Sequence, residues 1–161
     1  LTFGPPVIKK IRKCSKLPFD VHLMISPVEK YIQNYAEAGA DIITIHPEAT
    51  DNLSRSIDVI KSFSKKVGVS LNPETPVSIL DDVLNKIDLI LIITKVLDKV
   101  KFFREKIDNE KLNIDIEIDG GINFETAPLA IKAGANILVS GTTVFEGGNS
   151  ISENIEKLRK H

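Results

Sequence analysis

Sulfur and indole are nearly absent from this 161-residue chain, which has one Cys, one Met and no Trp. A lone Cys14 cannot close an internal disulfide, so a disulfide-stapled secreted scaffold is excluded. Excess charge is missing as well. Lys and Arg total 21 against 22 Asp and Glu, a net of −1. That balance gives no field drawing the chain to nucleic acid or to an acidic membrane surface. Long apolar runs are also lacking. The longest aliphatic run, Leu89 to Ile93, falls far short of the roughly 20 residues a membrane helix needs. Lys9, Lys10, Arg12 and Lys13 interrupt the region where a signal sequence would need an apolar stretch. The expectation is a cytoplasmic protein with neither nucleic acid nor membrane as partner. What is present, 42% hydrophobic and 27% charged residues, suits a globular domain with a real core.

Short apolar runs alternate with longer amphipathic ones. Candidate strands are Phe19–Met24, Asp41–His46, Val67–Asn72, Asp88–Thr94, Ile114–Asp119 and Ile137–Gly141. Candidate helices are Pro6–Arg12, Pro27–Ala38, Asn52–Ser64, Pro76–Asn85, Lys95–Asp108, Phe124–Ala133 and Ser152–Lys160. Alternation of this kind predicts parallel βαβ units. Ser26-Pro27-Val28-Glu29 reads as an N-cap with a capping box, and Gly39 and Gly134 read as left-handed C-caps. Asn123 reads as the cap of the helix that Gly134 closes. Ala38-Gly39-Ala40-Asp41 recurs as Ala133-Gly134-Ala135-Asn136, each between a helix and the next strand.

Strands covered by helices on both faces should be apolar throughout, and several here are not. Asp20, His22 and Met24 share one face of their strand, and Asp115, Glu117 and Asp119 share one face of theirs. Thr44 with His46, and Ser70 with Asn72, repeat the pattern. Buried charge is costly unless paired or metal-bound. Asp20, His22, Glu117 and Asp119 therefore imply either a satisfied polar network or a cation site. His22 and Asp119 lie nearest the C-terminal strand ends, where βα barrels hold their active sites. Asp119-Gly120-Gly121 and Ser140-Gly141-Thr142 leave the last two strands as glycine loops, and loops in those places often bind phosphate.

These segments occur in order with Leu1-Thr2-Phe3-Gly4-Pro5, Asp20-Val21-His22-Leu23-Met24 and Leu71-Asn72-Pro73. Together they make the chain resemble the ribulose-phosphate 3-epimerase family across nearly its whole length. The resemblance implies an α/β fold, a (β/α)8 TIM barrel, with residues 1–161 as a single, N-terminally incomplete barrel domain. It implies epimerisation at C3 of a ketopentose 5-phosphate, a small sugar phosphate, by two Asp residues acting through an enediolate. It also implies one divalent metal ion (Zn, Fe, Mn or Co). Carried over, His22 is a metal and substrate ligand, and Asp119 is both metal ligand and catalytic acid/base. Met24 shields the reacting carbons or simply fills core. Gly120, Gly121, Gly141 and Thr142 grip the phosphate. His46 reads as structural or as support for a ligand, and Asn72 as a strand-end cap.

The departures from the family pattern are equally definite. Nothing here matches its first two strands, one of which carries a His-x-Asp-x-Met-Asp motif supplying the remaining metal ligands and the second catalytic Asp. Its Asn-Pro-Gly-Phe-Gly-Gly loop is also missing, because Thr94 runs directly into Lys95. The expectation is that these residues alone are inactive, that segments are missing at the start and at the Thr94–Lys95 junction, and that open sheet edges favour pairing into a homo-oligomer. Two other readings stay open: a 3-epimerase of a ketohexose 6-phosphate, and a non-catalytic phosphate-binding barrel.

Overall fold

A computed structural model describes residues 3–93 and 96–160. Its elements run α1 (Pro5–Arg12), β1 (Asp20–Leu23), α2 (Glu29–Ala38), β2 (Ile42–Ile45), α3 (Leu53–Ser62), β3 (Lys66–Leu71), β4 (Leu89–Ile93), α4 (Leu97–Glu110), β5 (Asp115–Asp119), α5 (Ala127–Ala133), β6 (Ile137–Val139), α6 (Thr142–Glu146) and α7 (Ile151–Arg159). The chain divides into two compact units. One runs through Ser70 and includes Ser78–Leu89; the other comprises Leu71–Val77 and everything from Ile90 onward.

In the first unit β1 pairs with β2 and β2 with β3, all parallel. The register sets His22 opposite Thr44, and Thr44 opposite Gly68. Alternation then decides the faces. Val21, Leu23, Ile43, Ile45, Val67 and Val69 are buried on one side. Ile32, Ile57 and Ile60 from α2 and α3 are buried too, and α1 packs on α2 and α2 on α3. In the second unit β5 and β6 are parallel, with Asp119 opposite Val139. There α4 packs on β5 and α5, and α6 packs on α7. Ile90, Leu91 and Ile92 of β4 are all buried, as befits a strand with an uninterrupted aliphatic sequence.

Register is fixed by a device that appears three times. The residue just before a strand, or opening the turn into it, bonds the preceding strand with both its backbone and its side chain. Asp41 N–H donates to the Phe19 carbonyl at 2.9 Å while its carboxylate accepts from Phe19 N–H at 2.7 Å. Asp88 does the same to Val67, at 2.8 and 2.9 Å. Asn136 does it to Ile116, at 3.0 and 2.7 Å. The two-part sequence echo has a matching structure. Gly39 and Gly134 close α2 and α5 in the left-handed conformation, with φ of 110° and 115°. An arginine side chain from another helix lies where a Cβ on each would stand, Arg12 at Gly39 and Arg104 at Gly134.

Three local expectations need correction. Ser26 does not cap α2. The helix starts at Glu29 with Val28 at its N-cap and no side-chain cap bond. The Glu29 carboxylate instead accepts from Thr50 and from Ser56, the latter at 3.0 Å, so a tertiary partner outcompetes the capping box. The stretch Pro76–Asn85 is not an α-helix but two short 3-10 turns, Val77–Leu80 and Leu84–Lys86. Its apolar spacing does bury Leu80, Val83 and Leu84. Val77, Ile79 and Val83 are β-branched, however, and Ser78, Asp81, Asp82 and Asn85 compete for backbone bonds, so helix propensity is poor. The last correction concerns the chain after β6, where α6 forms directly from Thr142. The segment expected to be missing at the Thr94–Lys95 junction lies outside the described residues.

Removing the Asp88 carboxylate strands the N–H of Val67, a fully buried residue. Asp88→Ala is expected to lower unfolding free energy by about 1–3 kcal/mol, whereas Asp88→Asn, which keeps an acceptor oxygen, retains most of it. Urea midpoints decide, and an alanine variant as stable as wild type refutes the clamp.

Candidate active site

Within the first unit the polar face of the sheet carries Asp20, His22, Thr44 and, just beyond β2, His46. Thr44 Oγ1 donates to Asp20 at 2.7 Å. Thr44 is fully buried, so this bond satisfies a hydroxyl that burial would otherwise strand and makes Asp20 part of a structural network. His22 and His46 meet directly. Their Nε2 atoms are 2.8 Å apart, with ring centroids 4.9 Å apart and ring planes 28° apart. His46 Nδ1 lies 3.7 Å from the Glu48 carboxylate, with the His46 side chain only 12% exposed. Burial pushes the His22 pKa down to about 4, with the neighbouring His46 adding to the effect. His46 is lowered as well, because burial outweighs the opposing pull of Glu48. Met24, just past β1, is 76% exposed, so it fills no core in this unit.

Within the second unit Asp119 is the last residue of β5, and Gly120-Gly121 turn the chain away with φ of 117° and 66°. Asn123 Oδ1 accepts from the N–H groups of Glu125 and Thr126, each at 2.9 Å. Thr126 Oγ1 in turn donates to the Gly121 carbonyl at 2.7 Å. Asn123 thus does its capping work on a turn, and α5 begins only at Ala127. The loops after β5 and β6 are tied together at one atom. The Ile122 carbonyl accepts from Ser140 Oγ at 3.0 Å and from Thr143 Oγ1 at 2.9 Å. The result is a concave pocket of about 320 Å³ with Asp119, Gly120, Gly121, Gly141 and Thr142 among its lining residues. A larger cavity of about 540 Å³ lies against α5, β6 and α7. Among its described lining residues the only charged group is Arg159, so these supply no carboxylate or imidazole.

The fold therefore places His22 and Asp119 each at the C-terminal end of its own strand. It brings Asp119 and the four glycine-loop residues to one pocket. It also adds His46 beside His22 and Glu48 beside His46, which sequence spacing signals only weakly through His46-Pro47-Glu48 at a strand end. A neutral imidazole and a carboxylate are donor types that suit a divalent ion. Among the described residues no group of three or more His, Cys, Asp or Glu is placed to hold one. Among the described residues, too, no helix is long and apolar enough to cross a membrane.

Comparison with known proteins adds two kinds of finding. Residues 1–145 match the family model described as the Ribulose-phosphate 3 epimerase family. A Bacillus subtilis (strain 168) protein named ribulose-phosphate 3-epimerase is 41% identical over 172 residues, covering 99% of this chain and 79% of that protein. One of the same name from Escherichia coli K12 is 38% identical over 159 residues, covering 91% of this chain and 71% of that protein. The Bacillus alignment is longer than this chain, so that relative carries residues with no counterpart here. Among solved structures, KGPDC from Streptococcus mutans superposes with a TM-score of 0.75 at 15% identity, covering 96% of this chain and 78% of that one. The N-(5'-phosphoribosyl)anthranilate isomerase of Pyrococcus furiosus gives 0.71 at 17% identity, covering 98% and 82%. At such identities the likeness establishes the fold alone, an α/β fold of the TIM-barrel class.

The lowered His22 pKa ties stability to pH. The unfolded imidazole takes up its proton near 6.5 and the folded one near 4. The neutral ring's contribution is therefore fully present above about pH 6.5 and is lost as pH falls toward 4. In His22→Gln, urea midpoints measured between pH 7 and pH 4 are expected to fall less steeply than in wild type. Equal slopes would show that the folded structure does not hold this ring neutral.

Proposed function

This chain belongs to the ribulose-phosphate 3-epimerase family, and we propose that it inverts C3 of D-ribulose 5-phosphate to give D-xylulose 5-phosphate, with Asp119 as one of two acid/base groups. In this reading the six strands are the third to eighth of an eight-stranded barrel in one domain. The observation that carries the proposal is the second unit's pocket, where a strand-end carboxylate shares one wall with two glycine loops.

The chemistry suits the groups. C3 of the substrate is next to the C2 ketone, so loss of its proton leaves the electron pair delocalised as an enediolate with charge on oxygen. A carboxylate within reach takes that proton. The intermediate collapses to the epimer when a second acid returns a proton to the opposite face, and to the starting sugar when the first acid returns it. Asp119 supplies one of these groups. The family resemblance assigns the other to a motif that has no counterpart among these residues.

The backbone of Gly120, Gly121 and Gly141, with no side chains in the way, can approach phosphate oxygens closely, and Thr142 adds a hydroxyl. His22 in the first unit and Asp119 in the second are each a donor that the family resemblance assigns to a divalent ion. When bound, such an ion supplies Lewis-acid stabilisation of charge on the substrate oxygens. Neutrality of His22 suits that role, since a protonated imidazole has no lone pair to give. Met24, exposed beyond β1, is the residue that the family resemblance assigns to cover the substrate carbons.

Two variants test the reading in protein that turns over D-ribulose 5-phosphate. Asp119→Asn keeps the shape but not the basicity, and kcat is expected to fall about 10²- to 10⁴-fold. A variant with wild-type kcat refutes the assignment. Gly141 is the more discriminating site. A Cβ added there meets no atom within 4 Å, so Gly141→Ala should leave thermal stability unchanged. Because that open space is where the phosphate is proposed to sit, KM is expected to rise several-fold. An unchanged KM places the phosphate elsewhere. Running five- and six-carbon ketose phosphates side by side separates the pentulose reading from the hexulose one.

A further inference from the structure

The His22–His46 contact carries information about where protons sit. A neutral imidazole has one N–H and one bare nitrogen. Two Nε2 atoms 2.8 Å apart therefore require that one ring carries its proton on Nε2 and the other does not. There are two solutions. If His46 donates, His22 accepts on Nε2 and bears its proton on Nδ1, leaving it no lone pair for anything else. If His22 donates from Nε2, its Nδ1 keeps a lone pair.

Glu48 decides between them. Its carboxylate lies 3.7 Å from His46 Nδ1. That separation is too long for a hydrogen bond but short enough for the field of a carboxylate beside a mostly buried ring. A proton on His46 Nδ1 is attracted by that charge, whereas a bare lone pair there is repelled. With Nδ1 protonated, His46 Nε2 must be the acceptor.

We propose that Glu48 and His46 are positioning residues that lock His22 into its Nε2–H tautomer and fixed ring orientation, leaving Nδ1 as the nitrogen that binds a divalent cation. This rests on the reading of His22 as a metal ligand. The rings meet end to end with their planes 28° apart, the arrangement a direct ring-to-ring hydrogen bond needs. Partners that hold a ligating histidine in this way typically contribute about 10- to 100-fold to metal affinity.

The test has two arms on the purified full chain. The first is a long-range 1H–15N correlation spectrum of 15N-histidine-labelled protein at neutral pH without metal. It should show His22 as the Nε2–H tautomer and His46 as Nδ1–H, and Glu48→Ala should move both toward the opposite form. His22 found as Nδ1–H in wild type overturns the proposal. The second arm titrates Co²⁺ and follows its visible absorption. His46→Ala is expected to weaken binding about 10- to 100-fold, while His46→Gln, whose side-chain oxygen can still accept from His22, stays within a few-fold of wild type. Wild-type affinity in a folded His46→Ala variant also overturns it, and so does equal weakening in both variants. If wild type itself binds no Co²⁺, the assignment of His22 as a ligand fails, and the tautomers in the first arm still decide the relay. If the variants do not fold, the wild-type spectrum alone decides it.

Discussion

Whatever chemistry occurs at the C-terminal ends of these strands depends on register set at the opposite ends. Side chains alternate across a strand with a period of two, so a slip of one residue exchanges the faces. In the first unit such a slip would turn His22 and Thr44 toward the helices and push Val21 and Ile43 into their place. Asp41 and Asp88 prevent it by clasping Phe19 and Val67 with backbone and carboxylate at once. Asn136 does the same for Ile116 in the second unit. Two bonds to a single residue specify a register that one bond would leave adjustable. Arg12 strengthens the first clasp. It bonds Asp41 at 2.6 Å and lies 3.8 Å over the Phe19 ring.

Much of this was legible from local signals. Six apolar runs became six strands, because β-branched and aliphatic residues in short runs bounded by Gly, Pro, Asn and Asp have few other options. Gly39 and Gly134 announced their helix ends through a conformation that other residues adopt at a cost. What failed to show depended on partners distant in sequence. Glu29 three residues after Ser26 is a sound capping-box signal, but nothing nearby reveals that Thr50 and Ser56 will claim its carboxylate. The turns across 77–86 have the apolar spacing of a helix. There, packing used that spacing without the α-helical backbone.

The candidate site divides in the same way. The Asp119-Gly120-Gly121 segment is contiguous, so its pocket could be anticipated from a short stretch of sequence. The link from Ile122 to Ser140 and Thr143 could not, since it joins loops from different βα units through one carbonyl. Nor could the His22–His46 contact, which needs the parallel register of β1 and β2 to bring their C-terminal ends side by side. Both are consequences of the clasps at the far ends of the strands.

The proposed assignment of an acid beside an anion grip raises an electrostatic problem. A carboxylate and a phosphate repel, so a pocket that used both at one point would bind its ligand weakly. Asp119 ends β5, whereas Gly141 and Thr142 follow β6, the neighbouring strand. Adjacent strands stand about 4.8 Å apart. In a ketopentose 5-phosphate the reacting C3 is separated from phosphorus by C4, C5 and the ester oxygen, a span of similar scale. Under the proposed assignment, Gly120 and Gly121 follow Asp119 itself while Gly141 and Thr142 follow β6, so the phosphate would sit between the two strand ends and the substrate's own chain would hold C3 toward the acid.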